Sequence, residues 1–470
     1  MIKTIFSVIY FLIKLLSKHI IKFFIMETIS ENENQTEQGN NEKMDWDFCD
    51  DARSTSYTFR PYEIVKINYC GDIRNSEYPS PRSGHRVVCS NSNLYCLGGF
   101  NLTHVNRGNI SRLLFRELWE YNFVTRRWTK KMDHKVKDMP EELASNAVTI
   151  HDDVLIAYGG TGYPFGQACS NNTHFFSIKK PFVKRLKVSG DLPTPMYGPA
   201  IVVHDRWLYT IGGTTGYDYS CDVYRLDLYT KTWEMLYICQ PDRREDDPKG
   251  RYRHEIVYDG THIYVLGGGT SITAYSLKEI PAFNLKTNTW DMFKTKPDVT
   301  LKVNGGYPES RKCYSCIQYK TEKGIEAVIA GGYTENDNAF SDIWKLTFSN
   351  MEWKLIRTAK LPNPLYFHSA STSGNGCMYL FGGIELVNDL SRTNDLFKMW
   401  TTIPKLSEMC WDAITYYNPN LDRYTEGDLL SIGIPKKFVE RVPVAQKYSP
   451  SSSSVRKNNI FNLYSCFQID

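Results

Sequence analysis

Six times along the chain an apolar, strand-like run ends in a Gly-Gly pair: LYCLGG (94–99), VLIAYGG (154–160), LYTIGG (208–213), IYVLGG (263–268), EAVIAGG (326–332) and MYLFGG (378–383). Successive pairs are 61, 53, 55, 64 and 51 residues apart. One turn before each stands another short run: HRVVCS (85–90), SNAVTI (145–150), GPAIVV (198–203), HEIVYD (254–259), YSCIQY (314–319) and HSASTS (368–373). After each pair a loop leads to a third: ELWEYN (117–122), THFFSI (173–178), DVYRLDL (222–228), EIPAFNL (279–285), DIWKLTF (342–348) and DLFKMW (395–400). Length, β-branched and aromatic content and flanking turn residues predict strands. Trp128, Trp233, Trp290 and Trp353 each open a fourth strand and are placed to bury an apolar face between sheets. The second unit has no Trp near Lys184-Arg185, which leaves its outer strand open, and the sixth lacks a fourth strand. The segment Tyr62–Ile67 has no partner of its own and is predicted to complete the sixth sheet, which removes two open edges.

Self-similarity near 50 residues marks a repeat architecture, and one of this period and strand content is the kelch β-propeller. The predicted fold is all-β: a six-bladed propeller over residues 57–403. After Trp400 the period changes from 2 to 3.6. Leu406, Cys410 and Ile414 recur at helical spacing, with Met409, Ala413 and Tyr417 alongside. This helix ends near Asn418-Pro419-Asn420. Thr425 with Asp428 signals a second, and Pro435 starts a third that carries Phe438, Val439 and Val442. Residues 404–443 thus form a small helical module, too small for a core of its own, which must dock on the propeller or on a partner.

Charge separates the ends from the body. The chain has 470 residues and a formal charge of +4. Lys3, Lys14, Lys18 and Lys22 alone give residues 1–26 a charge of +4. That stretch is read as a basic amphipathic surface helix or as an extension upstream of a start at Met26. Its longest uncharged run, Thr4 to Ile13, is too short to span a bilayer. Contact with a membrane is expected only through it. Residues 27–56 are acidic and poor in apolar groups, which predicts disorder, and residues 444–470 read as a flexible tail. Residues 27–51 hold nine acids against one base, so residues 52–470 carry +8. No basic run accompanies that charge, so nucleic acid is not an expected partner. The twelve cysteines include one CxxC, Cys313 and Cys316, with no second pair. No metal site is read from them, and reduced thiols are expected. The sequons at Asn34, Asn101, Asn109 and Asn171 are read as unused.

Several strings are similar to those of kelch-repeat substrate receptors of cullin-2 ubiquitin ligases. They are PRSGHR (81–86), FRELWEYNF (115–123), GGTGYPFG (159–166), GGTTGY (212–217), RYRHEI (251–256), LGGGTS (266–271), TAYSL (273–277) and GGY with DIWKL (331–333, 342–346). The likeness covers roughly residues 60–442. Leu406-xxx-Cys410-xxx-Ile414 resembles an elongin-binding box, with Lys405 where the family usually has Ser, Thr or Pro. Ile434-Pro435-xx-Phe438-xxx-Val442 resembles the cullin-2 type of cullin box. The resemblance implies a non-enzymatic substrate receptor, cytoplasmic or nuclear. Its partners would be elongin B/C and cullin-2 with its RING subunit, and its substrates protein C-termini ending in small residues. A kelch scaffold without a role in degradation is the other reading.

Propeller ligands sit among loops at one end of the channel. Those loops hold Arg82 with His85, Tyr197, Arg251-Tyr252 with His254, Arg311 with Tyr314, and Tyr366 with His368. Arginine recurs at one position in units one, four and five, which suits bidentate pairing with a carboxylate. Arg251 and Arg311 are the foremost candidates, although Arg and His here could equally tie blades together. The loops are rich in Arg and Tyr and show no carboxylate dyad or metal-ligand pattern, so no catalytic residue, metal or cofactor is expected.

Overall fold

The computed structural model describes residues 57–69, 77–104, 113–335, 338–386 and 390–443. The expectations for residues 1–26, 27–56 and 444–470 lie outside the described residues. Two compact units divide the chain, one of them Pro61–Thr402. The other joins the described residues through Arg60 to those from Ile403 onward. Residues 57–60 therefore belong with the helices rather than with the propeller. The Tyr57 N–H donates to Tyr417 Oη at 2.7 Å, and its hydroxyl donates to Asp412 at 2.8 Å.

Pro61–Thr402 is a ring of six sheets, antiparallel but for Ser189–Gly190, which joins the outer strand of the third blade in parallel. The innermost strands are Arg86–Cys89, Ala147–His151, Ala200–His204, Glu255–Tyr258, Ser315–Thr321 and Ser369–Thr372. The outer strand of the second blade is Phe182–Arg185, with buried Val183 at the level where other blades place Trp. Val65–Lys66 pairs antiparallel with Leu390–Trp400, Val65 opposite Lys398, and supplies the sixth blade's missing edge. The core lies between blades rather than within them. Tyr95, Leu97 and Leu118 pack on Leu155, Ala157 and Phe176 of the next blade. Trp344 and Trp353 pack likewise on Tyr264, Leu266 and Leu277. Trp128, Trp233 and Trp353 are buried as expected of an inter-sheet Trp; Trp290 is only half-buried, edge-on to Phe283 of its own blade.

Two rings of backbone hydrogen bonds join the blades. In the first, the N–H of the second glycine of each pair donates to the next blade's entry loop. The acceptors are Leu143, Met196, Arg251, Arg311, Leu365 and Arg82, at 2.8–3.0 Å. In the second, one residue per blade bonds its counterpart in the preceding blade. Gly84 donates to Phe367, Ser145 to Gly84, Gly198 to Ser145, Arg253 to Gly198, Cys313 to Arg253 and Phe367 to Cys313, at 2.7–3.2 Å. This second ring is a closed collar around the channel mouth. All six residues have φ between +54° and +69°, a region that costs a side-chain-bearing residue about 1–2 kcal/mol.

In four blades the residue after the collar position, His85, His254, Tyr314 or His368, reaches into the preceding blade. His85 Nε2 donates to the Phe381 carbonyl at 3.0 Å, and Tyr314 Oη to the Leu266 carbonyl at 2.6 Å. Each lies against the first glycine of a pair. A Cβ on Gly382 would meet His85 Cε1 at 2.6 Å, and one on Gly212 would meet His254 Cε1 at 2.6 Å. This close approach is what requires glycine there.

Burial holds His85 well below the usual imidazole pKa and lowers His254 and His368 to about 3. Unfolded imidazoles titrate near 6.5, so the unfolded chain binds more protons below that value. The histidine contribution is full above about pH 6.5 and is lost as pH falls toward 3, by about 1.4 kcal/mol per pH unit for each residue. Urea midpoints measured from pH 7 to 5 should fall steeply, and His254→Gln should flatten the slope. A pH-independent midpoint over that range would contradict the burial of neutral imidazoles.

Candidate functional site

The expected arginines do not face the mouth. Arg82, Arg251 and Arg311 occupy one position, as their spacing indicates, but blades two, three and six place Leu143, Met196 and Leu365 there. It is a core position. Each guanidinium turns into its own blade and donates Nη1–H to the carbonyl of the first glycine of its pair, Gly98, Gly267 or Gly331, at 3.0 Å. Each stacks on an aromatic ring, Phe115, Tyr275 or Phe340, at 4.2–4.6 Å. Arg82 pairs with Glu117 at 2.7 Å, and Arg311 with Asp342 at 2.6 Å. Burial opposes ionisation of these carboxyls, yet the guanidiniums outweigh it and hold both below the usual range. His85, His254, His368 and Tyr314 are likewise buried inter-blade clamps. Of the expected pocket, only Tyr197, Tyr252 and Tyr366 keep exposure at the mouth.

A cation that crosses the mouth is Arg253, which was not among the expected site residues. It stands on the collar where blades one and three have Gly84 and Gly198. Its side chain crosses the opening. Nη2 donates to Ser145 Oγ, the guanidinium carbon lies 4.9 Å from the Phe367 ring centre, and a Cβ on Gly84 would stand 3.2 Å from Nη2. Only 4% of Arg253 is exposed, and its Nε has no protein partner. Burial, reinforced by nearby Arg86, pulls its pKa down. Beneath it Arg86 and Glu255, from opposite blades, form a 2.7 Å ion pair through the channel. Glu255 is thereby committed, and among the described residues no carboxylate forms an ion pair with Arg253. A buried cation in this state favours an incoming anion. Tyr197 lies edge-on to Tyr252 at 6.0 Å, and Tyr366 stands 4.9 Å from Tyr333, so aromatic rings line the approach.

The second candidate site is the helical module. Helix α1 is Leu406–Tyr417, α2 is Glu426–Ser431 with the expected Thr425–Asp428 capping box, and α3 is Lys436–Val439. These helices do hold to one another, contrary to expectation. Trp411 stacks on Phe438 at 5.0 Å, and Arg441 forms a bidentate pair with Glu408 at 2.7 and 2.8 Å. Ile434, Phe438 and Val442, expected to face a cullin, are buried; Pro435 is exposed. Met409, Trp411 and Ala413 are buried, whereas Leu406 is 50% exposed and Cys410 and Ile414 are half-buried.

Among the described residues no three His, Cys, Asp or Glu side chains group to hold a metal. No helix among them is long and apolar enough to cross a membrane.

Six blades around a collared mouth make this chain a kelch β-propeller suited to protein–protein interaction. Known families agree. Residues 71–268 match the KLHDC2/KLHL20/DRC7 kelch-repeats domain, and residues 208–409 match the attractin/LZTR1 β-propeller. The kelch domain-containing protein 10 homolog of Drosophila melanogaster is 52% identical over 425 residues, 87% of this chain and 69% of the relative. Kelch domain-containing protein 10 of Xenopus laevis is 42% identical over 370 residues, 77% of this chain and 86% of the relative. The human protein is 40% identical over 374 residues, covering 79% and 81%. The chain belongs to the kelch domain-containing protein 10 family.

Arg311→Ala should destabilise the propeller by about 3–5 kcal/mol, because it strands the Asp342 carboxylate and the Gly331 carbonyl. Arg253→Met, which strands no carboxylate, should leave the melting temperature near that of wild type. Equal stability of the two variants would overturn the anchor assignment.

Proposed function

We propose that the chain is the substrate-recognition subunit of a cullin-2/elongin ubiquitin ligase and that its propeller binds free protein C-termini. The observation that carries the reading is the exposure along α1. Met409, Trp411 and Ala413 are buried, while half-exposed Leu406 and the half-buried Cys410 and Ile414 line up at helical spacing as an apolar ridge for a partner to cover. The resemblance to an elongin-binding box falls on that ridge. A cullin would contact the exposed surface around Pro435, Lys436 and Lys437, with Ile434, Phe438 and Val442 shaping it from within.

The mouth supports the peptide half of the reading. An α-carboxylate is an anion at the end of a chain, narrow enough to pass the tyrosines when the last side chain is small. Arg253 is its partner rather than Arg251 or Arg311. The receptor performs no bond chemistry; it raises the local concentration of substrate near the transferase. The burial of Ile434, Phe438 and Val442 is the one observation that favours the other reading, a scaffold whose helices serve only as a structural element.

Two experiments separate the readings. Protein purified from cells should bring elongin and cullin-2 with it, and Leu406→Ser/Cys410→Ser should lose both while the module stays folded. Equal recovery by variant and wild type would remove the ligase role. In a peptide-library screen on the purified protein, peptides with a free C-terminus should bind, with amidated versions about 10-fold weaker or worse. Arg253→Met should lose that preference. Equal affinity for acid and amide would remove the carboxylate assignment but leave the ligase role standing.

A further inference from the structure

Blade three contains a cysteine pair that neither site uses. Its third strand, Tyr219–Asp227, and its outer strand, Thr232–Tyr237, pair antiparallel with Val223 opposite Tyr237. Continuing that register by two residues sets Cys221 opposite Cys239. The Cys239 thiol donates to the Cys221 carbonyl at 3.1 Å, and its backbone N–H donates to Asp222 Oδ1 at 2.8 Å. Cys221 is buried and Cys239 half-buried. Arg251 adjoins Cys221, and Asp222 and Asp247 flank Cys239. Opposed residues of an antiparallel pair have Cα atoms about 4.5–5.5 Å apart, within the span a disulfide bridges.

We propose that Cys221 and Cys239 are a redox-active dithiol that a hydroperoxide closes into a disulfide. One of the two sulfurs, as its thiolate, attacks the peroxide, the O–O bond breaks, and the departing hydroxide takes up the proton that thiol gave up and leaves as water, with that cysteine now a sulfenic acid. The other sulfur then attacks the sulfenic sulfur, the S–O bond breaks, and the departing hydroxide takes the second thiol's proton as a second water. Two thiols and one hydrogen peroxide become one disulfide and two waters. A thiol or dithiol reductant reverses the change. The bond ties the third strand to the start of segment 240–250, which leads into Arg251 and the mouth. The segment is otherwise held at that end by Asp247, which accepts from Tyr237 Oη and from the Gln240 N–H at 2.6 Å each.

The full chain is treated briefly with hydrogen peroxide, alkylated and mapped by non-reducing peptide mass spectrometry. One cross-linked peptide should join Cys221 to Cys239, lighter by two hydrogens and reversed by dithiothreitol. It should form before any change at Cys169, Cys316 or Cys410, which are also half-buried. Cys239→Ser, a change at a half-buried position, should abolish the cross-link without lowering the melting temperature. Recovery of both cysteines separately alkylated after peroxide, or of Cys239 joined to another cysteine, would overturn the proposal.

Discussion

The collar of six inter-blade hydrogen bonds is the constraint on which the rest of the propeller turns. Each blade lends one N–H and one carbonyl to its neighbours, and the circle closes from Phe367 to Gly84. Closure requires a left-handed backbone at every collar residue, including Ser145, Arg253, Cys313 and Phe367, which bear side chains. That strain persists because the neighbouring contacts determine the conformation. In four blades the residue after the collar, His85, His254, Tyr314 or His368, is delivered into the preceding blade as a clamp. In three blades the residue two before it, Arg82, Arg251 or Arg311, is turned back into its own blade. This short segment thus shapes the inter-blade seam.

The same segment sorts arginines of different fate. Arg251 and Arg253 are two residues apart and would share a side in an ordinary extended chain. The positive φ at Arg253 breaks that alternation. Arg251 ends on the Gly267 carbonyl inside the blade, while Arg253 bridges the opening toward Ser145 and Phe367. Glu255, two further on, is taken by Arg86 across the channel. The electrostatic character of the mouth therefore rests on a cation whose nearest acid is already engaged.

The helical unit shows a related economy. Helix α1 uses Met409, Trp411 and Ala413 to hold its neighbours and leaves Leu406 outward. Tyr57, far away in sequence, completes the packing through Asp412 and Tyr417. The periodicity of Leu406, Cys410 and Ile414, with Met409 and Ala413 alongside, identified an apolar face, of which Met409 and Ala413 are buried and Leu406 is left outward. Trp411 is the residue whose burial the periodicity did not reveal.

Much of the fold was legible because glycine pairs and alternating strands are local signals. The Gly-Gly spacing alone gave six blades, and the unpaired segment Tyr62–Ile67 found the edge left open beside Trp400. Residue type and spacing also determined that Arg82, Arg251 and Arg311 are equivalent. They could not determine direction. Whether a side chain enters the blade or the channel depends on a single backbone torsion and on which carbonyl lies beyond it, and that carbonyl belongs to a Gly pair 16 or 20 residues away. Arg253 was hidden for the same reason. Only closure of the ring brings Gly84, Ser145 and Phe367 around it, and only the tertiary structure shows Glu255 committed elsewhere. The sequence by itself determined the repeat, its strands and its closing edge. The tertiary structure decided which charges are satisfied, because satisfaction depends on partners that the chain brings together only by closing into a ring.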